Sequence, residues 1–233
     1  MKLSRLYVLA ITIGALLSLS LNTFAQDKKE LKKAQERVDS ASEVMREIMK
    51  IPDKSIPKEI LDKAEAIVVF PGVLKAAFIV GGQGGKGVAV RKTKNGWSAP
   101  AFLNVGGGSL GFQIGGEKID YVLVVLNDGG LKGLLEDKFE FGGEASVAAG
   151  PVGRTAAATT NATLDAGILT YSRSQGAFAG VSLKGAVISQ DEDMNQAIYK
   201  KSARELLFDP VTPWTAAPKS LQKFPKTVAM FAK

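Results

Sequence analysis

The feature that most restricts the fold of this 233-residue chain is a series of short apolar segments separated by glycines. Between Ala66 and Ile188 these segments have the length of β-strands and are rich in Val, Ile and aromatic residues. Glycine pairs or triples interrupt them at positions 81/82, 84/85, 106–108, 115/116, 129/130 and 142/143. Many short strands with glycines between them are typical of an antiparallel sheet that is closed or nearly closed. We therefore predict a compact, glycine-rich, barrel-like antiparallel core.

Helical patterns flank this predicted core, which places the chain in the α+β class. From Asp27 to Lys50 apolar residues recur at three- and four-residue steps with charged residues between them, as in an amphipathic helix. The first half of this helix is basic. Packing on its own domain and contact with a membrane surface both remain open for it. The lysines that would meet a membrane surface are Lys28, Lys29, Lys32 and Lys33.

Three shorter helical signals follow along the chain. Ser55 has the position of an N-cap before a short helix that ends at about Ala64. The segment "GLKGLLED" indicates a second short helix, and residues 191–207 indicate one helix that begins near Asp191 or Asp193.

The N-terminus has the pattern of a secretory signal peptide. Lys2 and Arg5 precede an apolar run, and Thr23 and Ala25 occupy the small-residue positions before a cleavage point at Gln26. We therefore expect an exported, periplasmic or extracellular protein, and not a lipoprotein because the chain has no Cys. Loss of Lys2 and Arg5 lowers the net charge from +7 to +5. A basic chain favours anionic partners.

These patterns divide the chain into four predicted parts that form one globular domain after export. Residues 1–25 are the signal peptide, and residues 26–64 are an N-terminal helical segment. Residues 65–205 form the β-rich domain. Residues 206–233 are a predicted C-terminal tail, in which residues 208–226 are too rich in Pro for regular structure and are expected to lie over the domain. For the terminal residues 228–233 a helical and a frayed end both remain open.

A glycine motif in residues 81–87 raises the question of nucleotide binding. Gly82, Gly84 and Gly87 have the spacing of a dinucleotide-binding loop, but that loop must open a helix, and Gly87 is followed by the strand pattern "VAVR". A protein-kinase glycine loop does precede a strand, yet the chain has no His for the kinase catalytic loop. We therefore expect neither nucleotide nor nucleic acid as a partner, and interpret the glycines as a tight corner of the sheet.

The absence of both His and Cys excludes most common catalytic and metal-binding arrangements. Asp191, Asp193 and Asn195 have the spacing of a calcium loop, but Gln196 stands where that loop needs its turn glycine. We therefore expect no enzyme activity, no metal and no cofactor. A hydrolase with a carboxylate pair or a Ser-Lys site is the enzymatic alternative.

Four ordered sequence blocks resemble the SYLF domain family. They are "FPGVLKAAFIVGGQGGKGVAV", "GWSAPAFLNVGGGSLGFQIGGEKIDYVLVVLN", "FGGEASVAAGPVGR" and "YSRSQGAFAGVSLKGAVI", followed by "NQAIY". The resemblance runs from about Pro57 to Tyr199. It implies a non-enzymatic domain that binds lipids, since eukaryotic members bind phosphoinositides at membranes and fungal members also bind actin.

The resemblance and the export signal together define the expected partners. We expect an anionic phospholipid or a membrane surface. We do not expect actin, because the chain shows an export signal and no recognisable accessory domain of the eukaryotic kind. A structural or protein-interaction module of the cell envelope, with an envelope protein as its partner, is the alternative.

Candidate lipid-binding residues follow from charge and position. Lys86, Arg91, Lys92 and Lys94 surround the glycine-rich segment and the strand after it, and several cations close together can hold one phosphate. If "GVAVRKTKNGW" is a hairpin, its turn near Lys94 is exposed. In the alternative interpretation, the lysines of this turn only keep the protein soluble.

Two arginines lie within the family blocks among small or apolar residues. Arg154 and Arg173 are candidates for an anion site. The alternative is an internal ion pair with Asp165, Asp120 or Glu144, because a buried Arg usually needs a carboxylate.

Overall fold

The computed structural model describes residues 27–51, 55–77, 81–109, 115–136, 138–141, 147–152, 166–174, 177–180, 183, 185–208 and 210–232. The predicted signal peptide lies outside the described residues. Within them a curled β-sheet in the form of a half-barrel is combined with one long helix and several short ones, so the α+β class is confirmed.

Ten strands form one sheet within the described residues. They are β1 (Ala66–Ala77), β2 (Gly81–Thr93), β3 (Gly96–Trp97), β4 (Ala101–Ser109), β5 (Gly115–Val125), β6 (Phe139–Glu140), β7 (Val147–Ala149), β8 (Ile168–Ser174), β9 (Ala177–Gly180) and β10 (Val187–Gln190). The strand order is β6-β10-β4-β2-β1-β5-β8-β7, with β3 paired to β2 and β9 paired to β8. The described pairs are antiparallel except β7 with β8, which is parallel.

Both faces of the central strands are buried. In β1, Ile67 and Val69 pack into one apolar core, while Val68 and Phe70 pack into a second core on the other side of the sheet. A strand that is covered on both faces needs apolar residues at successive positions and not only at alternate ones. This explains why the segment "AIVVF" is a continuous apolar run.

The glycine-rich segment is not a corner of the sheet, contrary to the sequence prediction. Residues 81–87 form the first half of β2 and pair with β4, while residues 81–84 also pair with β1 before an irregularity in that ladder. A methyl group on Gly87 would lie 2.3 Å from Cδ1 of Phe70, and one on Gly85 would lie 2.6 Å from Cγ2 of Val73. These two glycines are therefore required because large side chains of β1 fold across the neighbouring strand.

The helices cover the two faces of the sheet. They are α1 (27–50), α2 (Lys58–Asp62), α3 (Asp128–Leu134), α4 (Glu192–Tyr199), α5 (Ala203–Leu207) and α6 (Lys223–Ala229), with 3₁₀ turns at Trp214–Ala216 and Lys219–Leu221. The first core contains α1, α2, α4 and α6, and the second contains α3 and α5. No helix in the described part of the chain has the length and apolarity needed to cross a bilayer.

Helix starts agree only partly with the sequence predictions. The short helix α3 is confirmed, and the side chain of Asn127 caps it by accepting a hydrogen bond from the Gly130 amide at 2.8 Å. Helix α2 begins after Pro57, which makes no side-chain cap bond, so the prediction of Ser55 as its N-cap is wrong. The ψ of 141° at Pro57 is extended, as is usual for an N-cap residue, which lies just outside the helix.

Residues 191–207 form two helices and not the single helix that was predicted. Asp191 caps α4, as expected, by accepting a hydrogen bond from the Met194 amide. The chain then turns at Lys200, whose φ of 56° is left-handed, and a capping box of Ser202 and Glu205 starts α5. This break lets α4 face the first core and α5 the second.

The C-terminal segment is more regular than its prolines predict. Helix α6 contains Pro225 in its first turn, where the amide groups have no partner inside the helix, so the proline removes no hydrogen bond. Phe224 and Val228 anchor this helix in the first core. The prediction that the Pro-rich stretch lacks regular structure is therefore wrong for residues 223–226, whereas a helix was one of the two expectations for the terminal residues.

Candidate functional site

The four cations predicted around β2 do not form one cluster. Lys86 and Lys92 lie on the face of the sheet that α1 covers. They are an even number of residues from Val88 and Val90 of the first core, and side chains at such positions of a strand share one face. Arg91 lies on the opposite face. Lys86 and Lys92 are six residues apart, which in a strand is about 20 Å. One small phosphate group cannot contact all of them together.

Arg91 connects three elements of the second face. Its guanidinium donates to Oδ1 of Asp128 at 2.6 Å and to the carbonyl of Leu207 at 3.0 Å. It also lies 4.7 Å from the ring centroid of Phe208. These contacts tie β2 to α3 and to the end of α5, so the side chain is already occupied by the fold.

Lys92 and Lys94 lie at the end of β2. Lys92 donates from Nζ to the carbonyl of Asp62 at 2.8 Å and thereby holds the end of α2. Lys94 lies in the turn between β2 and β3, and the predicted hairpin with an exposed turn is confirmed.

Arg173 forms an ion-pair network and not an open anion site. It donates from Nε and Nη2 to Oδ2 of Asp120 at 3.0 and 2.8 Å, and from Nη1 to Glu47 of α1. Burial disfavours its charged form, but the hydrogen bonds and charges of Asp120 and Glu47 outweigh this and raise the pKa of Arg173. Asp120 was one of the predicted partners. Arg154, the other candidate arginine, lies outside the described residues.

The Asp120 carboxylate extends this network to the backbone. Its Oδ1 accepts a hydrogen bond from the Gly72 amide at 2.8 Å. Gly72 has a φ of 58° at an irregularity in β1, a conformation that favours glycine. Arg173, Asp120 and Glu47 together therefore fasten the C-terminal half of α1 to the sheet.

The apolar face of α1 packs on its own domain. Ala34, Val38, Met45 and Ile48 are fully buried in the first core, so they are not available to a bilayer while the helix is docked. The four predicted membrane-facing lysines are exposed. They are Lys28, Lys29, Lys32 and Lys33.

The exposed surface of α1 changes sign along the helix. Acidic residues follow the basic first turns at three- and four-residue steps, at Glu36, Asp39, Glu43 and Glu47. A flat approach of the whole helix to an anionic surface would bring these carboxylates against like charge. Only the N-terminal part of α1 suits such a surface.

The structure brings one predicted lysine from each set together at a cleft. Lys33 of α1 and Lys86 of β2 line an open cleft of about 600 Å³, together with Lys200 at the end of α4. We call this the lysine cleft. Its remaining lining residues are Glu30, Asp191, Asp193, Met194, Gln196 and Ala197.

A buried ion pair forms the base of the lysine cleft. Arg37 of α1 donates from Nη1 to Oδ2 of Asp191 at 2.8 Å, and the side chains are only 6% and 9% exposed. The guanidinium lies 5.2 Å from the ring centroid of Phe102. Asn195 bonds both the amide and the carbonyl of Phe102 at 2.8 Å. These contacts fix α1, α4 and β4 relative to one another.

The ion pair determines the charge that the cleft presents. Since Arg37 already neutralises Asp191, Lys86 makes only a long contact of 3.7 Å to the same carboxylate and stays 65% exposed. Lys33 pairs with Glu30 at 2.7 Å. Lys200 donates to the carbonyl of Ala197 at 3.5 Å, and because a carbonyl is neutral, this contact does not neutralise the ammonium group. The carboxylates of Glu30, Asp191 and Asp193 line the cleft beside its three lysines, so with Arg37 paired to Asp191 the basic groups exceed the acidic ones by one. Lys86 and Lys200 are the ammonium groups that remain to recognise an anion.

Sequence reasoning missed two residues of this site. Arg37 stands three residues after Ala34 and four before Ala41, which is the buried stripe of α1, and this position was the available signal. A charged residue on such a stripe needs a buried partner. Lys200 carried no sequence signal, because its role depends on the left-handed turn that ends α4.

The described residues contain no group of three or more His, Cys, Asp or Glu side chains placed to bind a metal ion. Lys58, which stands three residues after Ser55 as the lysine of a Ser-Lys site would, pairs with Asp62 at 2.6 Å. Burial raises the pKa of Tyr199, so this tyrosine stays protonated at neutral pH. Two described serine hydroxyls donate to carboxylates: Ser174 donates to Glu117, and Ser202 donates to Glu205 at 2.9 Å as part of the capping box of α5.

Comparison with known families gives a match that covers more than half of the chain. The Ysc84 family model, described as "Las17-binding protein actin regulator", matches residues 106–229. This range runs from β4 through α6 and includes Asp191, Lys200 and the C-terminal helix. The family is known for regulation and not for catalysis.

Individual relatives support the same assignment. The chain is 32% identical over 181 residues to SH3 domain-containing YSC84-like protein 1 of Bos taurus, which is 74% of this chain and 53% of that protein. The human protein of the same name is 33% identical over 177 residues, 72% of this chain and 52% of that protein. LAS seventeen-binding protein 3 of Saccharomyces cerevisiae is 36% identical over 151 residues, 63% of this chain and 33% of that protein. The chain thus spans about half the length of these mammalian relatives and 33% of the length of the yeast protein.

These findings correct one expectation about partners. The sequence did not lead us to expect actin, but the matching family is described as an actin regulator and a relative is named for binding to LAS seventeen. Protein partners of the actin-regulating kind therefore belong to the family. The resemblance of the sequence blocks is confirmed by both comparisons, and the chain belongs to the Ysc84 family, which is the SYLF family.

Proposed function

We propose that this chain is an exported, non-enzymatic domain that binds anionic phospholipid headgroups at a membrane surface through the lysine cleft. The observation that carries the proposal is the convergence of Lys33, Lys86 and Lys200 from three separate elements around one cleft. Phosphate is the anion that such a set of ammonium donors suits. The N-terminal apolar run with its Thr23 and Ala25 cleavage pattern supports export.

The surroundings of the cleft support contact with a surface and not only with a soluble anion. Lys28, Lys29 and Lys32 are exposed on the same turns of α1 as Lys33. Each cation near an anionic bilayer contributes about 1 kcal/mol, so several in one region give useful affinity. The buried apolar face of α1 means that this binding is electrostatic, with the helix still docked.

Vesicle co-sedimentation tests the proposal. Residues 26–233 are mixed with vesicles of phosphatidylcholine, or of phosphatidylcholine with phosphatidylglycerol, at low and high salt. We expect binding to the anionic vesicles only, with a strong decrease at high salt because screening weakens exposed charges. Changing Lys33, Lys86 and Lys200 together to Ala should lower the bound fraction at least fivefold.

A matched variant controls for total charge. Lys63, Lys118 and Lys132 are also exposed lysines, but they lie outside the cleft, and changing all three to Ala removes the same charge. Equal loss in both variants would show that only net charge matters and would reject the cleft. No binding to any vesicle would reject the membrane role and leave a structural or protein-interaction role in the cell envelope.

A second candidate function is binding to a protein of the actin-regulating kind. The family description favours it, since it names actin regulation and Las17 binding. Co-sedimentation of residues 26–233 with filamentous actin tests this candidate. Saturable binding that persists at physiological salt would support it, and a protein that stays in the supernatant at micromolar actin would exclude direct binding.

A further inference from the structure

We propose that the C-terminal part of the domain carries a second binding surface, which recognises an acidic segment of a partner protein. This tryptophan surface consists of Lys94, Trp214, Lys219, Lys226 and Met230. It is separate from the lysine cleft, and it does not depend on the lipid-binding proposal.

The centre of the surface is the indole of Trp214. Nζ of Lys226 lies 4.9 Å from its ring centroid. Gly96 lies beside it, because a methyl group on that glycine would be 3.7 Å from the indole Nε1. The exposed turn that carries Lys94 is thereby held next to the ring. Trp214 is half-buried and keeps part of its surface open to solvent.

An apolar group extends the surface along α6. Met230 is 67% exposed and follows Lys226 by four residues, so both side chains lie on the same ridge of the helix. Exposed apolar side chains that occur singly are normal on a monomeric domain, and they indicate a binding surface only when they adjoin other binding groups. Here Met230 adjoins a cation that covers an indole.

The charge of this region has one sign. Residues 210–233 contain four lysines and no Asp or Glu. Lys223 is paired with Asp39 of α1 at 2.6 Å. Lys94, Lys219 and Lys226 have no carboxylate partner among the described residues. An acidic partner would therefore be attracted without first displacing an internal ion pair.

The arrangement fits a protein better than a bilayer. A membrane-anchoring Trp must reach into the interface, but Trp214 is half-buried with a lysine over its ring. Burial of Met230 alone would anchor the domain only weakly in a bilayer. Trp and Met are instead enriched at protein interfaces, where Trp forms energetic centres within a polar rim. Partner carboxylates would pair with the lysines while an apolar side chain contacts Met230.

Nuclear magnetic resonance of the indole N–H groups gives a direct test. The chain has two tryptophans, and Trp97 is only 3% exposed, so it reports on the fold while Trp214 reports on the surface. The probe is a synthetic peptide with Leu-Phe between two blocks of four glutamates. Residues 26–233 should show a saturable shift of the Trp214 signal, an unchanged Trp97 signal, and weaker binding at high salt.

Charge-reversal variants define the outcomes. Lys226→Glu should weaken binding of the peptide at least fivefold. Lys118→Glu on β5 and the triple alanine variant of the lysine cleft should leave peptide binding unchanged. Absence of a Trp214 shift at millimolar peptide would overturn the proposal. So would an equal shift with the same peptide carrying lysines in place of glutamates. A Trp214 response to phosphatidylglycerol vesicles that Lys226→Glu abolishes, without a response to the peptide, would assign this surface to lipid instead.

Discussion

The two ends of α1 place basic residues in opposite situations. At the C-terminal end Arg173 is held by Asp120 and Glu47, so its charge is used inside the fold. At the N-terminal end Lys86 stands at the rim of a cleft and stays 65% exposed, because the nearby Asp191 carboxylate is already neutralised by the buried Arg37. The same kind of residue is thus structural at one end and available at the other.

Burial of the carboxylate, and not the number of cations, therefore decides which lysines are free. Asp191 is one carboxylate for both Arg37 and Lys86, and the arginine is the nearer at 2.8 Å against 3.7 Å. Because Arg37 is buried, it cannot satisfy its charge with water and keeps Asp191. Lys86 remains hydrated and can exchange its long contact with Asp191 for a contact with another anion.

The largest effect is expected when the buried pair at the base of the cleft is broken. Asp191→Asn keeps an N-cap for α4 but leaves Arg37 buried without an opposite charge. We expect a loss of about 3–5 kcal/mol in the free energy of unfolding, measured by urea denaturation. The matched control is Asp193→Asn, an exposed neighbour in the same turn. A loss below about 1 kcal/mol for Asp191→Asn would show that Arg37 finds water or another partner.

An intermediate effect is expected at the other end of the helix. Arg173→Ala removes the guanidinium hydrogen bonds to the half-buried Asp120. Of the donors in this network, the Gly72 amide then remains. We expect a loss of about 1–3 kcal/mol in unfolding free energy and no change in vesicle binding.

A double-mutant cycle separates this pair from general effects of truncation. If Arg173 and Asp120 act together, Arg173→Ala combined with Asp120→Ala should be less destabilising than the sum of the single variants. Strict additivity would mean that the two side chains stabilise the fold independently. A fall in vesicle binding with Arg173→Ala alone would contradict the structural role and return this residue to the candidate lipid ligands.

The smallest effect on stability is expected for the exposed lysine of the cleft. Lys86→Ala removes a side chain that is 65% exposed and makes only a long ion contact, so the unfolding free energy should change by less than about 0.5 kcal/mol. Binding to anionic vesicles should nevertheless decrease. A destabilisation above about 1 kcal/mol in urea would show that Lys86 is part of the structural pair and would remove the contrast between the two ends of α1.

Much of the architecture could be predicted from the sequence because its signals are local. The 3.6-residue period of α1 and the apolar run of β1 both report burial directly. The glycines were misinterpreted because their reason is not local. Gly85 and Gly87 accommodate Val73 and Phe70 of the adjacent strand, and no spacing within "GGQGGKG" reveals that contact.

The candidate site was predicted only in part, for the same reason. Charge identified Lys33 and Lys86 as candidates, but the sequence assigned them to different sites, 53 positions apart along the chain. It also grouped Lys86 with Arg91, which lies on the other face of the sheet because side chains alternate along a strand.

Local patterns were sufficient to predict the α+β class, the amphipathic first helix, the exposed hairpin turn and the membership of the SYLF family, because periodicity, turn residues and ordered blocks are carried by neighbouring positions. Which cations are available depends instead on long-range folding. A cation is free or occupied according to the carboxylate that folding brings to it, and Asp191 lies 154 positions from Arg37 while Asp120 lies 53 positions from Arg173. Such long-range pairing depends on the register of strands and the docking of helices, which local sequence does not encode.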